Sequence, residues 1–221
     1  MIGSKARPKK RVSKSHCEQE GDQESLPLEF EPTLRENLLN STAPSSTMIE
    51  LTVQELTWLN TTSDSPGDKC AHGKIRFSVN DVGLVSPTEQ WTVSAAVIYF
   101  LRTLESDHNE ADRVGEHLIP HCGHTMWVRE DSDDVLIMGC DIGIDFAITR
   151  TGQTVTITAD SGEEFPVSFN EYSAAVYDFS KAVRAFYDSS APKVHNDDYD
   201  RLGFENFLSE WERRHPRETG K

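Results

Sequence analysis

Residues 121–126 read HCGHTM, and GCDIG follows at 139–143. Imidazoles and thiols at such short spacing can hold a zinc ion or pair a thiolate with a base. A structural zinc usually takes two close ligand pairs across a loop. Here the second pair is missing: Cys70 and His72 lie far upstream, and Cys140 belongs to the next strand. If 121–124 is strand, His121 and Cys122 point to opposite faces, and His124 shares the face of Cys122. Buried free cysteines behave as small apolar residues, which accounts for Cys122 and Cys140. The expectation is therefore plain sheet residues, with no metal, no cofactor and no catalytic group. The alternative is a small metal- or thiol-dependent enzyme using His121, Cys122, His124 and Cys140.

The carboxylates read structurally too. Glu130, Asp131, Asp133 and Asp134 crowd a hairpin turn, where Asp is good turn chemistry. Asp141 and Asp145 flank a bend, Glu163 and Glu164 open a strand, and Asp197, Asp198 and Asp200 precede a helix whose dipole they complement. The sequence holds no Gly-rich phosphate loop, no GxSxG and no HExxH.

What positions these groups is legible from periodicity. MIELTVQEL (48–56) and GKIRFSVND (73–81) alternate as strands, with Ile49, Leu51, Val53 and Ile75, Phe77, Val79 inward. Ser86-Pro87-Thr88-Glu89 reads as a capping box opening a helix with Val93, Ala96, Val97, Phe100, Leu101 and Leu104 on one stripe. Residues 124–169 read as a meander of about five short antiparallel strands, with VLIM (135–138) apolar on both faces and so central. Asn170 caps the longest helix, striped by Tyr172, Ala175, Val176, Phe179, Ala182, Val183, Phe186 and Tyr187. A third, short helix over about 203–214 carries Phe204, Phe207, Leu208 and Trp211. The predicted fold class is α+β: an antiparallel β-meander with two long helices and a short C-terminal helix packed on one face. Residues 48–216 form that single domain, and 217–221 a tail. Residues 1–47, with a basic block, an acidic block and a Ser/Thr/Pro stretch, read as a disordered extension.

The net charge is −15, and it is unevenly placed. Residues 1–47 hold seven basic and seven acidic side chains, against 15 and 30 in residues 48–221. Such a field repels nucleic acid and anionic membrane and speeds encounter with a basic partner. No apolar run reaches the roughly 18 residues of a membrane span. Four irregularly spaced cysteines point to reduced thiols in a cytoplasmic protein.

Cys140-Asp141 with Gly143-Ile144, the Glu171-Tyr172 helix opening, Phe179 with Phe186-Tyr187, the Pro192-Lys193 stop and Glu210-Trp211 resemble, in order and texture, a loosely defined group of small bacterial proteins. Some of that group are thought to be immunity proteins of contact-dependent or polymorphic toxin systems. The likeness covers roughly residues 118–214. It implies no catalytic residue; it implies an acidic, rigid module that binds a cognate, basic protein toxin and blocks its active site. The expected contact residues are Asp131, Asp133, Asp134, Glu163 and Glu164, with Trp127 as an aromatic anchor and Trp58 and Trp91 as further candidates.

Overall fold

The computed structural model describes residues 48–59, 66–123 and 125–215. The expectations for 1–47, for His124 and for the tail after 215 fall outside them. Within these residues the α+β class holds.

The first strand, β1 (Ile49–Trp58), pairs antiparallel with β2 (Ala71–Val79), setting Leu51 opposite Phe77 and Val53 opposite Ile75. Period-two alternation puts Ile75, Phe77 and Val79 wholly inside. A tight turn follows, in which Asn80 and Asp81 both take positive φ (49° and 65°). Paired left-handed residues match the twist of a two-residue hairpin, and Asn and Asp tolerate that conformation. The turn returns the chain as β3 (Val82–Val85), a strand the sequence reading missed.

The expected helix start at Ser86 is not used. Residues 86–90 make a turn, and β4 (Trp91–Thr92) pairs with β2 at Gly73 and His72 before α1 (Val93–Arg102) begins. Gly73 admits this: a Cβ there would meet Val53 and Val93 side chains at 2.9 and 3.1 Å. Every residue of α1 from Val93 to Leu101 is buried, so the stripe seen in the sequence widens to the full circumference. A helix covered all round needs neighbours on every side, and α1 is accordingly central.

The predicted meander breaks into three pieces. β5 (Ile119–Pro120) pairs with β8 (Gly143–Ile144), and β6 (Thr125–Trp127) pairs with β7 (Leu136–Met138). β9 (Ala147–Thr151), β10 (Thr154–Thr158) and β11 (Glu164–Ser168) make a three-stranded sheet. The bend at 139–142 is the cause: it turns the chain out of the β6–β7 ladder, so β8 finds β5 instead of its sequence neighbour.

Helix α2 (Phe169–Asp188) is capped by Ser168, two residues before the expected Asn170. Ser168 accepts from the Glu171 N–H, and the Glu171 carboxylate accepts from the Ser168 N–H, completing a capping box. Its stripe holds, with Tyr172, Val176, Phe179 and Val183 buried, although Ala182 faces solvent. α3 (Asp198–Arg214) is no short helix: it has 17 residues against 10 in α1, reversing the expected lengths. Asp197 caps it by accepting from the Asp200 N–H, one turn before its apolar face begins. α2 packs on β1 and on α1, while α3 packs on β6.

The α3–β6 contact is backbone against backbone. A Cβ on Gly203 would lie 1.8 Å from the Met126 carbonyl oxygen. Glycine inside a helix normally costs about 0.5–1 kcal/mol relative to alanine. Here the sign reverses: Gly203→Ala is expected to destabilise by about 1–3 kcal/mol, because the added methyl must push the helix off the strand. A raised urea midpoint in that variant would refute the close approach.

Three part-buried carboxylates tie the elements together. Desolvation alone would raise each of them, but hydrogen bonds to the charged form outweigh it and hold them below the ordinary carboxylate range. The donors are Arg213 and Arg214 at Asp134, His108 and the Leu118 N–H at Asp145, and Lys69 and the Asn196 N–H at Asp200. At His108 the Val114 N–H donates to Nδ1, so Nε2 carries the hydrogen given to Asp145. A lowered folded pKa means that the folded state binds fewer protons than the unfolded chain. This stability is present above the unfolded value, about 3.9, and is lost as pH falls through the lowered values. Relief of repulsion among exposed carboxylates acts in the opposite sense but is screened by salt. The urea midpoint should therefore hold from pH 7 to about 5 and fall below about pH 4. A midpoint that climbs on acidification to pH 3 would show that repulsion wins.

Candidate functional site

Two features stand beside each other on the β6–β7 hairpin and the bend that follows it. The first is the hairpin's outer face. Register sets Trp127 opposite Leu136 and Thr125 opposite Met138, with Met126 opposite Ile137 between them. Met126 and Ile137 are buried, so alternation turns their neighbours outward. Trp127 is 48%, Leu136 39% and Met138 43% exposed. The expectation that VLIM lies at the centre of a sheet is thus overturned. β7 pairs with β6 alone among the described strands, and no centre of a sheet exists for it, so its second apolar side, Leu136 and Met138, stays exposed.

The acidic turn at the tip of this hairpin holds Glu130, Asp131 and Asp133 in the open. Asp131 pairs with Arg129 through two 3.0 Å hydrogen bonds. Asp134 is otherwise engaged: Arg213 and Arg214 reach it at 2.8 and 2.7 Å, which makes it part of the α3 attachment. Glu163 and Glu164 are exposed, but they sit at β11 in a separate sheet. Of the expected tryptophan anchors, Trp58 and Trp91 are buried, and Trp127 alone of the three is available.

The hairpin is held from behind by a buried ionic network. Glu210 accepts from Arg102 Nε and Nη2 at 2.8 and 2.9 Å, from Arg214 Nε at 2.9 Å and from the Val135 N–H at 2.7 Å. Arg102 gives two further donors to the Val114 and Val135 carbonyls, both at 2.7 Å. Arg102 also borders a cavity of about 420 Å³, whose wall includes Tyr99, Arg113, Leu136, Met138 and Cys140.

The second feature is the thiol–imidazole cluster. His121, Cys122 and Cys140 bring one ligand atom each to within 4.8 Å of one another. The argument that His121 and Cys122 must diverge fails because 121–123 lies in no strand. The Cys140 N–H donates to Cys122 Sγ at 2.8 Å, and His121 Nδ1 lies 3.7 Å from Cys140 Sγ. Gly139 makes the approach possible, since a Cβ there would sit 2.2 Å from the Cys122 carbonyl oxygen. The glycine of the GC pair was the sequence signal for this convergence. Hydrogen bonding to Cys122, then to the Ile142 backbone, draws the Cys140 thiol down to about 7, while burial pushes Cys122 up. Cys70 is apart from the cluster: burial raises it to about 12, and its Sγ–H donates to the Gly123 carbonyl at 3.1 Å. His72 Nε2 lies 3.5 Å from Thr92 Oγ1, whose hydroxyl donates to the His121 carbonyl at 3.0 Å; among the described residues the clustered ligand atoms are those of His121, Cys122 and Cys140. His124 lies outside the described residues.

No protein-family model, no curated protein and no solved structure matches this chain. Among the described residues no helix is long and apolar enough to cross a membrane.

Proposed function

We propose that the chain is a non-enzymatic acidic binding protein of the immunity type, which docks a basic toxin domain on the outer face of the β6–β7 hairpin and blocks it. The observation that carries this reading is the exposed row Trp127, Leu136 and Met138, set beside exposed Glu130, Asp131 and Asp133. Tight interfaces concentrate their energy in a few aromatic or apolar anchors that become fully desolvated, ringed by polar groups. The acidic excess over residues 48–221 supplies the complement to a basic partner and raises association rate more than residence time. Partner and anchor thus divide the work: charge steers, and Trp127 holds. Rigidity follows from the Glu210 network and from Gly203, which fix the hairpin before any partner arrives.

The test reads the neighbouring genes for a toxin-bearing protein and co-expresses its toxin domain with the full chain; a metabolic operon there would count against the reading. Wild type should restore growth and bind the purified domain. Trp127→Ala should weaken binding by about 2 kcal/mol or more, roughly 30-fold, with circular dichroism unchanged. Replacing Asp131 and Asp133 by Asn should lower the association rate and flatten its salt dependence. Full protection and unaltered affinity in Trp127→Ala would rule out this face, and a toxin that the wild type neither binds nor neutralises would rule out the function.

A further inference from the structure

We infer that His121, Cys122 and Cys140 form a binding site for a thiophilic d¹⁰ cation, with zinc as the ion to test. This inference is independent of the docking reading, because it uses none of the hairpin's outward side chains. A tetrahedral zinc with thiolates at about 2.3 Å and an imidazole nitrogen at about 2.0–2.1 Å sets its ligand atoms roughly 3.5–3.8 Å apart. The His121 Nδ1 to Cys140 Sγ separation, 3.7 Å, already falls in that range. The three ligand atoms lie within 4.8 Å of one another, so no pair has to close by more than about 1 Å, within reach of a side-chain rotation. Two sulfurs and one nitrogen select a soft or borderline ion against magnesium and calcium, which take oxygen.

The backbone is arranged for such an ion. Gly139 lets the chain pass against the Cys122 carbonyl, so residues 18 apart in sequence present their thiols together. The Cys140 N–H points at Cys122 Sγ, a donor that stabilises thiolate sulfur and orients it. The His121 N–H donates to the Ile142 carbonyl at 2.9 Å, pinning the 121 and 142 segments to each other. The backbones of His121 and Cys140 and the sulfur of Cys122 are thus each tied to another segment. Three protein ligands leave the fourth zinc position to water or to a further donor. On binding, each thiol that is still protonated gives its proton to solvent as its sulfur takes the metal.

The experiment uses the full chain, stripped with chelator and kept in a phosphine reductant. Titration with cobalt(II) should give a tetrahedral ligand-field spectrum with a sulfur-to-metal charge-transfer band, saturating at one equivalent and bleached by one equivalent of zinc. Competition with a chromophoric chelator then measures zinc affinity. His121→Ala, Cys122→Ser and Cys140→Ser should each weaken it by about 100-fold or more, beyond the loss of a supporting contact. Trp127→Ala should bind zinc as wild type does, which separates this result from the docking test. Absence of the tetrahedral spectrum would overturn the inference. So would zinc binding that persists in the Cys122→Ser/Cys140→Ser double variant, because the metal would then sit elsewhere.

Discussion

Glu210→Ala is expected to destabilise the fold by about 3–5 kcal/mol, read as a lower urea midpoint at unchanged slope. Glu210 is wholly buried in α3 and is the common acceptor for Arg102, Arg214 and the Val135 N–H. Removing it does not simply delete a favourable pair. It leaves two guanidinium groups, 12% and 6% exposed, without their shared carboxylate. Asp134 remains for Arg214 at 2.7 Å but stands 4.0 Å from Arg102, too far to replace a bidentate bond. The Val135 N–H, where the acidic turn enters β7, also loses its acceptor, and an unmet buried donor costs about 1–3 kcal/mol. Partner binding should weaken in the same variant, because the hairpin loses its rear attachment. A cost under about 1 kcal/mol would show that water reaches the network and that the charges were never desolvated.

Phe179→Ala is expected to cost a similar amount, about 3–5 kcal/mol, by a different mechanism. Phe179 is 1% exposed and meets Phe100 edge-on, with centroids 6.0 Å apart. Phe100 in turn meets Phe77 at 5.8 Å, and Phe77 meets Phe146 at 5.5 Å. This relay joins α2 to α1, to β2 and to the segment before β9, so truncation opens a void where several elements meet. Phe77 and Phe179 both pack on Phe100, so truncating both opens space on two sides of one ring, and the double variant should depart from the sum of the single costs by more than about 0.5 kcal/mol. Equilibrium unfolding of the four proteins of that cycle gives the answer. A single-variant cost under about 1 kcal/mol would mean that the core collapses into the space left by the ring.

Much of the fold was legible because local periodicity reports local burial. Ile75, Phe77 and Val79 alternate because β2 has one covered face, and Tyr172, Val176, Phe179 and Val183 recur because α2 presents one stripe to β1 and α1. Caps were harder to place. Ser86 satisfied the pattern of a helix start, yet strand pairing between Trp91 and Gly73 took precedence, and Asp197 opened α3 a turn before its apolar residues announced it. Short-range chemistry proposes a boundary, and the ladder or the packing face decides it.

The sequence by itself determined the class of element in its strongly periodic segments, the acidic balance and the inventory of thiols, imidazoles, carboxylates and tryptophans. Tertiary structure alone decided which of them meet and which meet water. An apolar run such as VLIM has the same pattern whether a second layer covers it or not, and only the isolation of the β6–β7 ladder leaves Leu136 and Met138 beside Trp127 in the open. In the same way, strand alternation could only scatter His121 and Cys122. Their convergence on Cys140 required the chain to leave the strand and pass close by at Gly139, and that approach is fixed by pairing between distant segments. Periodicity is a property of neighbours along the chain, whereas a site is a property of neighbours in space.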